Sequence, residues 1–192
     1  MSPDPLNVNC FFPPKLTACE QEARGFSARG QNGGMSHVQR VHLSVGQNYY
    51  RFCDSNRFAQ DPQRASAGGW WTDHEVFTKV RTTASASATM TRYARNIGEA
   101  PLSYAAKLYL AIPYEWGDCG VVVVAQLIDR LDAFRGRGLT AYLKNKKHDD
   151  RDGSAKYTPI QDPTISQLFI PELHLYFGRA FSIVRQGPAS SF

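Results

Sequence analysis

The sequence predicts an α+β domain, and three observations carry that prediction. Val121–Val124 is an unbroken β-branched run of strand length, and Tyr49–Cys53 is an aromatic, strand-like segment. Between them lie apolar residues at helical spacing: Val76, Phe77, Val80, Ala84, Ala88 and Tyr93. A strand, then a helical block, then several strands is the order of an α+β fold rather than of alternating βα units. With 192 residues, the chain has the size of one ordinary domain.

Residues 1–40 are rich in Pro, Gly, Ser, Asn and Gln, with Pro13-Pro14 and Gly33-Gly34 as breaks. They are expected to form a flexible arm, linker or targeting segment, with a brief helix over 15–24 and with short pieces such as Phe11-Phe12 docking on the body. Residues 41–192 are expected to form a single catalytic-type domain. Val38–Leu43 alternates and reads as a first strand. Gly46 and Asn48 mark a turn before the strand Tyr49–Cys53. Asp54–Ala67 is polar and reads as a loop with a short helix.

Gly68-Gly69 and Trp70-Trp71 lead into Thr72-Asp73-His74-Glu75, which reads as a capping box with Thr72 as the N-cap. The Ser/Thr/Ala-rich stretch 82–91 is where the following helix divides, and Asn96 and Gly98 end it. Leu102–Ala111 reads as a second helix, stopped by Ile112-Pro113. Gly120–Leu127 is a buried strand, and Leu131–Phe134 extends it or starts another. Lys144–Lys156 carries both signs of charge and reads as a surface loop. Ile165–Pro171 is a strand, and the aromatic-rich stretch Leu173–Val184 has room for a final one.

No apolar run approaches the ~20 residues needed to cross a bilayer. Met1–Pro5 has neither the basic nor the apolar region of a secretory signal. The expected location is cytoplasmic, or the cytoplasm of a target cell reached without a cleaved signal. The four cysteines form no zinc-type spacing and are expected as free thiols. No metal site is expected. The formal net charge of +5 admits an anionic partner without requiring one. The dinucleotide, P-loop, zinc-protease and serine-hydrolase motifs are all missing.

Four places remain as candidate chemistry. Arg51 stands in the otherwise apolar segment Tyr50-Arg51-Phe52, where a buried guanidinium needs an anion or a carboxylate. Trp70 and Trp71 point to opposite faces of a strand, so one can fill the core while the other walls a pocket. Glu115 is flanked by Tyr114 and Trp116, and burial among aromatics suits a carboxylate to act as a base. Gln167 lies beside Leu168 and Phe169, where its amide can bind a ribose hydroxyl or position a water. Glu75 and Glu172 are further acids available to such a site, and Glu75 has a competing role in the capping box.

Taken in order, these segments resemble the ADP-ribosyltransferase superfamily and its NAD-glycohydrolase toxin relatives. Tyr50-Arg51 is similar to the aromatic-Arg of an early strand. Trp71-Thr72 is similar to the aromatic-Ser/Thr of a second, and Gln167 to the Glu or Gln of a late one. Gly69-Trp70-Trp71 also resembles a segment of the RES-type toxins. No Ser-Thr-Ser triplet is present, and Phe169 holds the place of the usual late-strand acid.

The resemblance implies a split β-sandwich with a helical block after the second strand. It implies an enzyme that consumes NAD as substrate and acts as a toxin or effector. ADP-ribose would pass to a macromolecular acceptor, protein or nucleic acid, or to water. An immunity or host protein would be a further partner. Arg51, Gln167 and Glu115 would be catalytic, and Tyr50, Arg51, Trp70, Trp71 and Thr72 would bind NAD. A basic module that holds nucleic acid or an acidic protein is the alternative.

Overall fold

The computed structural model describes residues 4–27, 30–31, 33–113, 116–143, 155–157 and 162–192. The chain begins with α1 (Leu16–Ala23) and a short ribbon of β1 (Phe26–Ser27) and β2 (Gly30–Gln31). Next come β3 (Met35–His42), β4 (Asn48–Cys53), α2 (Ser55–Gln60), α3 (Pro62–Ser66) and β5 (Trp70–Asp73). The helical block is α4 (His74–Ala86), α5 (Ala88–Asn96) and α6 (Pro101–Tyr109). Then β6 (Val121–Leu127), β7 (Asp132–Gly138) and a second ribbon, β8 (Ala141–Leu143) with β9 (Ala155–Tyr157), follow. The last elements are β10 (Gln167–Phe169), α7 (Leu173–Ala180) and β11 (Phe181–Pro188).

The fold is α+β. Its centre is a seven-stranded antiparallel sheet in the order β11-β6-β4-β5-β10-β7-β3. β6 is buried on both faces, which is why its sequence is continuous rather than alternating. Val123, Ala125 and Leu127 face one core with Leu173, Phe177 and Phe181 of the C-terminal elements. Val122 and Val124 face the other, with Val76, Phe77 and Val80 of α4 and Leu102, Ala105 and Ala106 of α6. The helical block divides at Ser87, which ends α4 and caps α5 by accepting from the Met90 amide.

Three expectations are corrected. The N-terminal forty residues are not a free arm where described. Cys10, Phe11, Cys19, Ala23 and Met35 are buried against Phe134 and Phe169. Asn7 ties them down, donating to Asp132 O (2.8 Å) and accepting from Asp132 N (3.0 Å). Their apolar residues are too sparse to show a period, yet they cover one end of the sheet. Second, the final strand held by the aromatic-rich stretch begins only at Phe181, and Leu173–Ala180 before it is a helix, because Leu173, Phe177 and Ala180 recur at the spacing of one helical face. Third, Thr72 lies in β5, and Asp73 is the N-cap of α4, accepting from Val76 N at 2.9 Å. The charged run Lys144–Lys156 lies outside the described residues except for its last two.

Candidate functional site

β5 divides the sheet. Its second half pairs with β4, Tyr49 opposite Asp73 and Tyr50 opposite Thr72. Its first half pairs with β10, Trp71 opposite Leu168 and Trp70 opposite Phe169. Beyond Tyr50, β4 therefore runs on with no β5 partner. A cavity of about 660 Å³ opens in that gap, within the usual range of small-molecule sites. Tyr50, Arg51, Trp70, Trp71, Thr72 and Gln167 all line it. Tyr114 and Glu115 lie outside the described residues.

Arg51 is held by the backbone. Its Nε donates to Ala65 O and its Nη1 to Trp70 O, both at 2.8 Å. Gly68 lies directly against the guanidinium. Carbonyls orient the group without cancelling its charge, and among the described residues no carboxylate pairs with it. Arg57 and Arg64, exposed on α2 and α3, line the same cavity.

The nearby acids are committed to backbone amides. Asp54 caps α2 through Arg57 N (2.9 Å), and Asp61 caps α3 through Arg64 N (2.9 Å). Asp54 also accepts from Asp118 N at 3.2 Å, and Asp118 in turn accepts from Ser55 N and Gly120 N. The Asp54-Ser55 pair thus has a structural use, pinning the end of β4 to the segment before β6.

The two tryptophans divide their work. Trp71 is buried, stacks on Phe181 at 5.0 Å and donates Nε1–H to Gly68 O. Trp70 stays half-buried beside Trp116 (5.5 Å) and Phe169 (5.0 Å) and forms an aromatic wall. Tyr50 is fixed by stacking on Phe77 at 4.1 Å and by a 2.6 Å hydrogen bond to His74 Nδ1. Burial pushes its phenol above the ordinary range.

Gln167 and Thr72 are the unusual members. They stand one step along from the Leu168–Trp71 pair on adjacent strands. Gln167 is 5% exposed and Thr72 1%. Among the described residues neither Gln167 Nε2 nor Thr72 Oγ1 has a hydrogen-bond partner. A buried polar atom left unpaired costs roughly 1–3 kcal/mol. Both belong to residues that line the same cavity.

Two thiols also line the cavity, and burial favours the neutral thiol at both. Burial raises the Cys53 thiol despite Arg51 beside it, and burial pushes Cys119 up to about 12. Glu75 and Glu172 lie elsewhere. Glu75 is exposed in the first turn of α4, and Glu172 pairs with Lys15 at 2.5 Å.

Arg57, Arg64 and the Gly68 cradle were not legible as site residues. Their only local signal is two arginines in the polar stretch after β4. The chain matches no protein-family model, and comparison with the curated proteins and with the solved structures finds no match.

Proposed function

We propose that this chain is an enzyme that cleaves the nicotinamide–ribose bond of NAD and passes ADP-ribose to a macromolecule or to water. The observation that carries the reading is the pair Gln167 and Thr72, buried and unpartnered on the cavity that also holds the unneutralised Arg51. The three strands of the resemblance support it as well. β4, β5 and β10 are consecutive neighbours in the seven-stranded sheet, and β5 passes from pairing with β4 to pairing with β10.

The chemistry follows from the lining. Arg51, Arg57 and Arg64 present fixed positive charge to a diphosphate. Trp70 and Trp116 offer flat faces to a nicotinamide or adenine ring. As the N-glycosidic bond breaks, its electron pair leaves with nicotinamide and the ribose becomes oxocarbenium-like. Gln167 and Thr72 then bind ribose hydroxyls and orient the sugar through that change. Water or an acceptor nucleophile forms the new bond at the ribose carbon. Glu115, outside the described residues, is the proposed base.

The test is nicotinamide release from NAD, with and without cell lysate, for the natural chain, Arg51→Ala and Gln167→Ala. Release that both variants lose supports the reading, and tagged NAD in lysate separates transfer from hydrolysis. An absence of both release and labelling overturns it. The exposed Arg57 and Arg64 favour one second reading, a module for phosphate-rich polymers. Nucleic-acid binding that weakens steeply with salt, with NAD left intact, would be its signature.

A further inference from the structure

A second cavity lies on the far side of the segment that closes the first. Asp54 and Cys119 line the larger cavity, whereas Ser55, Asp118 and Gly120 line a smaller one of about 250 Å³. Ile97, Gly98, Glu99, Ala100, Ser103 and Ser190 complete the smaller lining.

The polar side-chain atoms of its lining residues are all oxygens, on the carboxylates of Glu99 and Asp118 and the hydroxyls of Ser55, Ser103 and Ser190. Glu99 is the telling residue. Its side chain is only 7% exposed, and Lys107 Nζ, fully buried, donates to its Oε1. Its Oε2 is buried and has no partner. A carboxylate oxygen taken from water and left unbonded is costly.

The charges do not balance either. Glu99 and Asp118 bring two negative charges and Lys107 one positive. Asp118 is ionised: burial works to raise its pKa, but the Ser55 and Gly120 amides outweigh that and hold it below the ordinary value. Among the described side chains that line the cavity or pair with its lining, negative charge exceeds positive by one. Ser103 Oγ already donates to Cys119 O at 2.9 Å, so its remaining capacity is that of an acceptor.

We infer that this cavity binds the primary ammonium group of a small organic amine. Three N–H donors on a single positive charge match acceptors at Glu99, Asp118 and the serine hydroxyls. The volume exceeds what one ion needs, since a water-sized body takes about 30 Å³. Ile97 and Ala100 supply apolar surface for the methylenes of such an amine. The inference is independent of the NAD reading, because none of its residues lines the larger cavity.

The experiment is a titration of the ¹⁵N-labelled full chain with ethanolamine hydrochloride, with KCl and CaCl₂ at matched ionic strength as separate arms. The expected result is saturable movement of the Ser55, Glu99 and Gly120 amide signals with ethanolamine alone. Asp118→Asn keeps an acceptor for both amides but loses the charge, and should weaken binding by about tenfold or more. Glu99→Gln should do the same. If Glu99→Gln fails to fold beside the buried Lys107, Asp118→Asn and the natural chain still decide the matter. No movement with ethanolamine, equal movement with KCl or CaCl₂, or undiminished binding in Asp118→Asn overturns the inference.

Discussion

The guanidinium of Arg51 rests on the backbone of Gly68: a Cβ at that glycine would stand 2.5 Å from Arg51 Cζ. The close approach lets Arg51 bridge Ala65 O and Trp70 O while its charge stays directed at the cavity.

Gly68→Ala tests that arrangement. The clashing atoms belong to the far end of a flexible side chain, so Arg51 swings away and the fold persists. Calorimetric titration should show NAD affinity reduced at least about tenfold, as expected for losing a charge-assisted hydrogen bond. The thermal midpoint should fall only slightly. An unchanged affinity would mean that Arg51 does not hold the ligand.

Gln167→Met separates function from stability. It keeps the size of the side chain and removes the unpartnered Nε2 donor. Urea unfolding should show a gain of about 1 kcal/mol. Nicotinamide release should fall by about 100-fold, the usual cost of removing a donor aimed at a reacting centre. Opposite signs in the two measurements are what a ligand-directed polar group requires.

The Lys107–Glu99 pair is buried, with side chains 0% and 7% exposed. Lys107→Met leaves a buried carboxylate without its cation and should cost about 3–5 kcal/mol in urea unfolding. Adding Glu99→Leu should restore most of that loss, because two apolar groups of similar volume carry no desolvation penalty. A double variant as unstable as the single one would refute this account of the pair.

The four cysteines are free and buried. Burial raises Cys10, Cys19, Cys53 and Cys119, the last to about 12 from 9.0. A folded-state pKa above the unfolded one means that this contribution is complete below pH 9. It is then lost as the pH rises from 9 toward 12. Denaturant midpoints should decline over that window. At pH 8 an aromatic disulfide reagent should react with the native chain slowly and with all four thiols after unfolding.

Local pattern was enough for β4, β6 and the helical block. In those elements β-branched runs, apolar spacing and a serine cap act within a few residues of one another. Pattern was also enough to single out Arg51, Trp70, Trp71 and Gln167, because each is a chemically odd residue in its segment, whereas Thr72 entered only through the resemblance.

It was not enough for α7, where aromatic content outweighed the spacing of Leu173, Phe177 and Ala180. It pointed to Phe11 as a residue that docks, but not to how much of the N-terminal segment covers the sheet, since Asn7 and Phe11 find their partners at Asp132 and Phe134, more than a hundred residues away. The strand pairings of β5 are non-local in the same way. A register that hands β5 from β4 to β10 opens the cavity between Arg51 and Trp70, and chain folding alone brings Gln167 beside Thr72. Residue chemistry is written one position at a time. Which groups share a cavity, and which are left without a partner in it, follows from hydrogen-bond register and packing across the whole chain.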